Sequence, residues 1–142
     1  MLRVLIAVDG SECSDRAVDY VLKKTPLYKE PVELHLLTVH HHLPYGRLAS
    51  MIEHDKLQQY YHEEGLATLK SARARLDAAK VPYQFHIGVG EPAEVIAGYV
   101  REKKIDQLVM GSHGRGRVGN VMLGSVANKV LHLTTVPVLL VR

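Results

Sequence analysis

Apolar and polar positions fall along this chain in blocks of two kinds. Five short runs are rich in apolar and β-branched residues: Leu2 to Val8, Val32 to Val39, Tyr83 to Val89, Ile105 to Met110 and Val136 to Val141. Short apolar runs without helical period predict strands, and continuous ones predict strands covered on both faces. Helical spacing appears between them. Ala17, Val18, Val21 and Leu22 share one face of a helix capped by Ser14 and running to Lys24, where Thr25-Pro26 stops it. Leu66, Leu69, Ala72 and Leu76 mark a long helix over 49–79, with one ring of Tyr60-Tyr61 in its core face and Gly65 as a kink or a weak point. Val95, Ile96, Tyr99 and Val100 mark a third helix, with Pro92 at its first position. Ser125 to Leu133 reads as a fourth.

Two strands carry marks of an edge. In the third, Gln84, His86 and Gly88 alternate with Tyr83, Phe85, Ile87 and Val89, which predicts one wet face. In the fifth, Pro137 has no N–H for a ladder, so the strand begins late or lies outermost. The order βαβαβαβαβ predicts one α/β domain over 1–142, an open five-stranded parallel sheet with helices on both faces. Right-handed crossovers then favour the strand order 3-2-1-4-5. Ligands of such sheets bind at the carboxyl ends of the strands, where the winding reverses. Here that is the crevice between strand one, ending at Asp9, and strand four, ending at Gly111.

Composition narrows the class. The net charge is +3, and the basic residues are scattered, so neither a nucleic-acid stripe nor a polybasic membrane patch is expected. No apolar run approaches the ~20 residues of a membrane span. The start, Met1 to Val8, lacks the length and cleavage site of a signal peptide. The single cysteine, Cys13, excludes an internal disulfide and fits a reducing compartment; at a helix start it is either redox-active or inert. A cytoplasmic protein is expected.

The candidate chemistry lies in Gly111-Ser-His-Gly-Arg-Gly-Arg-Val-Gly-Asn-Val-Met-Leu-Gly-Ser125, between the fourth strand and the fourth helix. A strand, a glycine-rich loop and a helix N-terminus form a cradle for phosphate, because backbone N–H groups and the helix dipole converge there. No Gly-x-x-x-x-Gly-Lys-Ser/Thr loop is present. Gly114 to Gly119 matches Gly-x-Gly-x-x-Gly literally but follows the fourth strand, not the first, and opens no helix. Arg115 and Arg117 are either phosphate contacts or solvated loop residues. His113 has no carboxylate near it in sequence to orient it as an acid–base group. His40-His41-His42, with His54 and His62, lacks the spacing of a zinc site.

Gly111-x2-Gly114-x9-Gly124-Ser125 resembles the ATP-binding motif of the universal stress protein family at every specified position. The opening Val4-Leu-Ile-Ala-Val-Asp-Gly-Ser-Glu, Gly90-Glu-Pro and the closing Pro137-Val-Leu-Leu-Val also look like features of that family, so the resemblance spans the chain. It implies a Rossmann-like fold of the adenine nucleotide alpha hydrolase type. It further implies that Gly111, Gly114, Gly124 and Ser125 bind ribose and phosphates, that Asp9 holds ribose hydroxyls or a phosphate-bound Mg2+, and that Val39 reads the base through its backbone. Met110 and Val126, beside the motif, are weaker candidates alongside Arg115 and Arg117. Asp9 also reads as an Asp-Gly turn residue, and Val39 as strand core. The family's usual dimer through the last strand matches the apolar edge Val136, Pro137, Val138, Leu139, Leu140 and Val141. The expectation is an ATP-binding regulatory homodimer in stress response, with an unknown protein partner. A slow Mg2+-dependent ATP hydrolase or phosphotransferase, and an interaction module that binds no nucleotide, are the alternatives.

Overall fold

The computed structural model describes residues 1–43, 53–114 and 123–142. Five parallel strands form one sheet: β1 (Leu2–Ala7), β2 (Val32–His40), β3 (Tyr83–Val89), β4 (Gln107–Gly111) and β5 (Val138–Val141). Their order is β3-β2-β1-β4-β5, as the crossover rule predicts. Val4 of the central strand pairs with Leu34 on one side and Gln107 on the other. Strand β1 is covered on both faces, so Val4, Leu5 and Ile6 are all buried.

Four helices among the described residues cover the sheet: α1 (Glu12–Lys24), α2 (His54–Ala78), α3 (Pro92–Glu102) and α4 (Ser125–Leu133). Helices α1 and α2 pack on one face through Val18, Val21, Leu69 and Leu76 against Ile6 and Leu36. Helices α3 and α4 pack on the other through Ile96, Val100 and Val130 against Leu5, Leu37 and Leu108. Strand faces alternate residue by residue, so Leu36 and Leu37 serve opposite cores.

Several boundaries differ from the sequence reading. Helix α1 starts at Glu12, and its cap is Ser11, whose hydroxyl accepts the Ser14 N–H at 3.2 Å. The Ser14 hydroxyl instead donates to the Ser11 carbonyl, so the predicted cap residue lies inside the first turn. The start of the long helix predicted at 49–52 lies outside the described residues. That helix is continuous through Gly65, which is no kink: a Cβ there would sit 2.5 Å from Ile87 Cγ2, so the glycine lets α2 approach β3. Of the paired tyrosines, Tyr61 is buried and Tyr60 exposed. Strand β5 begins at Val138, two residues later than the apolar run, because Pro137 contributes only its carbonyl, which accepts the Leu108 N–H. Both predicted edges, β3 and β5, are outermost. No described helix is long and apolar enough to cross a membrane.

Candidate functional site

The winding reverses between β1 and β4, and a cavity of about 550 Å3 opens there at the carboxyl ends of the strands. Strand β1 delivers Asp9, β2 delivers Val39, β4 delivers Met110 and Gly111, and the turn after it delivers Gly114. The start of α4 supplies Gly124, Ser125 and Val126. All eight of these predicted residues line this one cavity. Arg115 and Arg117 lie outside the described residues. Ala7, Val8, Leu37, Val39, Ile96 and Met110 give the cavity its apolar lining. Gly111 to Gly114 and the first turn of α4 also line it.

Helix starts in this protein are treated differently. Helix α1 has its Ser11 cap with Glu12 and Asp15 in the first turn, and α3 has Glu91 accepting from Ala93 and Glu94 N–H. Helix α4 begins after Gly124, with no side-chain cap and no acidic residue in its first turn. Its leading N–H groups and its dipole therefore meet the cavity without a cap or an acidic side chain from the helix's own first turn. That arrangement favours an anion at this end.

The motif glycines make room chiefly for other parts of the protein. A Cβ on Gly111 would lie 3.0 Å from the Cys13 carbonyl carbon and 3.1 Å from Ser14 N, so β4 ends tight against the first turn of α1. A Cβ on Gly114 would collide with Asp9 Oδ2. A Cβ on Gly124 would lie 3.1 Å from the Ser112 carbonyl oxygen, to which the Gly124 N–H already donates at 2.7 Å. The loop is thus folded onto itself and onto the end of β1. Asp9 stands in the turn its sequence predicts, where Oδ1 accepts the Ser11 N–H at 2.9 Å, and the residue forms part of the cavity wall.

Ser112, Ser14, His41, Pro92 and Ile96 also line the cavity and were not assigned to it from sequence. Pro92 and Ile96 arrive from α3, far from the motif in sequence, and carry no local signal. Ser112 is buried, and its backbone is pinned by Val141 O and Gly124 N. Its hydroxyl lies 3.0 Å from His113 Nδ1. Cys13 is buried, and its thiol donates to Val141 O at 3.0 Å. Burial pushes that thiol up, but hydrogen bonds from the His113 backbone and from Ser112, with the Arg16 charge, bring it below its ordinary value. A second cavity of about 270 Å3 shares Asp9, Val39 and His41, and adds Thr38, Glu64 and Thr68. His40 Nδ1 is engaged by the His41 carbonyl at 2.7 Å, and its ring packs on Tyr60 and Tyr61. No group of three metal-ligating side chains occurs among the described residues.

At the far edge of the sheet, Pro137 is exposed and the β5 residues are half-buried. Leu131 and Leu133, on the last turn of α4, are 43% and 40% exposed.

Fold and site together define a doubly wound α/β protein with a cavity at its switch point. The chain belongs to the universal stress protein family, whose model matches residues 1–142. It is 32% identical to universal stress protein YxiE of Bacillus subtilis over 147 residues, covering 99% of this chain and 98% of that protein. The solved structure of MJ0577, a universal stress protein of Methanocaldococcus jannaschii, superposes with a TM-score of 0.81 at 26% identity, over 99% of this chain and 94% of the other. A universal stress protein solved in complex with cAMP superposes with a TM-score of 0.68, also at 26% identity, over 99% and 96%.

Proposed function

We propose that this protein binds an adenine nucleotide, ATP in the first instance, in the crevice between β1 and β4, and acts as a regulatory homodimer in the cytoplasm. The observation that carries the reading is the uncapped start of α4 in the wall of a cavity that is otherwise lined largely by apolar side chains. A phosphate suits the first and a purine ring the second. In this reading Val126 N–H, with the Ser125 N–H and hydroxyl, receives the phosphates, and Val39 borders the base. The cAMP complex of a relative supports the ligand class.

Asp9 is the one carboxylate among the described residues of the larger cavity. One carboxylate suits a Mg2+ held mainly by substrate phosphates. Asp9, whose Oδ1 accepts from Ser11, is the candidate for such an ion or for ribose hydroxyls. Bound there, Mg2+ would neutralise phosphate charge.

For the dimer, β5 offers an outermost strand next to exposed Leu131 and Leu133, a surface suited to pairing with a second copy. A downstream protein partner would read the nucleotide state.

Thermal unfolding with and without Mg2+-ATP, on the wild type and on Gly124→Val, tests the binding reading. A ligand specific to the folded state adds roughly 2.7 kcal/mol at a hundred times its Kd. The wild type should shift upward and Gly124→Val should not, because a side chain at 124 closes the loop against Ser112 and His113. No shift in the wild type at millimolar nucleotide overturns the reading in favour of an interaction module.

A further inference from the structure

Below the cavity, on the α3 face of the sheet, lies a cluster of titratable rings outside the site. His35 is 3% exposed, and both of its nitrogens are engaged. Nε2 lies 2.7 Å from Glu33 Oε1 and Nδ1 lies 3.0 Å from the Tyr99 hydroxyl. A carboxylate only accepts, so in the neutral ring Nε2–H donates to Glu33 and Nδ1 accepts from Tyr99. His86, on edge strand β3, stacks on His35 with ring centres 6.4 Å apart and lies 4.9 Å from the Tyr99 ring. The residue is half-buried, but its Nε2 is buried and has no hydrogen-bond partner among the described residues.

The cluster and the cavity share the same two supports. On β2, His35 is followed on the same face by Leu37 and Val39, which line the cavity. On α3, Tyr99 stands one turn after Ile96, and Pro92 and Ile96 are cavity wall. Helix α3 also sits close on β3: a Cβ on Gly88 would be 2.6 Å from Val95 Cγ1. A push on α3 at Tyr99 therefore reaches the cavity wall at Pro92 and Ile96 along the same helix.

We propose that His86 is a proton-operated latch on α3. Neutral, it lets the helix rest against the sheet edge; protonated, it forces the Tyr99 end of the helix away and slackens the cavity wall, so that acid weakens nucleotide binding. The proposal rests on the nucleotide reading above. Protonation would leave a charged N–H buried with no acceptor. The charged groups around it oppose the new charge more than they balance it. Lys103 and Glu102 face it from the end of α3 and His35 from β2, with Glu33 already taken by His35 and by Arg3 of β1 at 3.7 Å. Burial first, then Lys103 and His35, hold the His86 pKa below its ordinary value, against the weaker pull of Glu102. A depressed histidine pKa means that stability is intact above about pH 6.5 and is lost as the pH falls towards the folded value.

Two measurements on the full chain test this, each at pH 7.5 and 5.5 on the wild type and on His86→Gln. The first is amide hydrogen exchange of α3 without ligand, corrected for intrinsic rates. The second is the Kd for cyclic AMP, chosen because a phosphodiester does not titrate in this range. In the wild type, α3 should lose protection at pH 5.5 and the Kd should rise roughly fivefold or more. In His86→Gln both changes should shrink. Lys103→Gln, a milder change, should move the transition to higher pH and reduce its size. Equal loss of α3 protection in the wild type and His86→Gln, or none in either, overturns the latch. Loss of protection without a change in Kd overturns its coupling to the cavity. No cyclic AMP binding at pH 7.5 counts against the nucleotide reading, and exchange alone then decides the latch.

Discussion

The Asp9 carboxylate occupies the space that a side chain on residue 114 would need. Asp9 lies just past the end of the first strand and Gly114 belongs to the loop after the fourth, so this contact joins the two sides of the crevice. Gly114→Ala should rotate the carboxylate and break its bond to the Ser11 N–H. We expect a loss of about 1 kcal/mol, seen as a Tm lower by roughly 4 °C. The same substitution made in Asp9→Ala should cost at least ~0.5 kcal/mol less, the coupling expected of residues in contact. Additive costs in the double-mutant cycle would show that the two residues do not touch.

Gly111→Ala makes a different demand. The nearest atoms to the new methyl include the Cys13 carbonyl carbon and the Ser14 nitrogen, which are backbone and cannot swing aside. The first turn of α1 must move, at a cost of about 1–3 kcal/mol for an overpacked seam. Urea unfolding measures this. Cys13→Ala in the same chain should give little rescue, because the thiol is only one of the crowded atoms; full rescue would place the clash on the side chain instead.

Lys80 and Lys104 stand just past the ends of α2 and α3 with φ of 57° and 54°. That left-handed conformation costs a side-chain-bearing residue roughly 1–2 kcal/mol, and glycine escapes it at some cost in chain entropy. Lys80→Gly and Lys104→Gly should each raise stability by about 0.5 kcal/mol by chemical denaturation. Lys103→Gly, at φ −91°, should lower it. A Lys80→Gly protein less stable than the wild type would contradict the cap geometry.

Glu91 caps α3, accepting from Ala93 and Glu94 N–H, and its carboxylate lies 3.3 Å from Lys129. Burial alone would raise its pKa, but the Glu94 N–H, Lys129 and the Ala93 N–H together bring it below the ordinary value. A lowered carboxyl pKa contributes stability above the unfolded value, near 4.3, that is lost as the pH falls through the folded value. Glu91→Gln should therefore be less stable than the wild type at pH 7, and the gap should narrow below about pH 4. A gap unchanged down to pH 3 would assign the loss to packing.

The order of elements was legible because each strand and helix carries its own period, and crossover handedness left few layouts. The crevice was legible for the same reason: strand order alone points to the ends of β1 and β4, and the glycine spacing marks one side of it. Helix starts were less so, since Ser11 and Ser14 are both capping residues and only the backbone path selects Ser11. What each glycine is for depended on tertiary structure. From sequence, Gly111 and Gly114 read as sites of close approach by a ligand; folded, they clear space for Cys13, Ser14 and Asp9, which lie about a hundred residues away in the chain. The cavity wall from Pro92 and Ile96 and the His35–His86–Tyr99 cluster have the same origin. Local patterning determined which segments are strands and helices and where the chain reverses. The packing of segments distant in sequence decided which side chains meet, because contacts across a sheet are set by register and by helix docking, neither of which leaves a local signal.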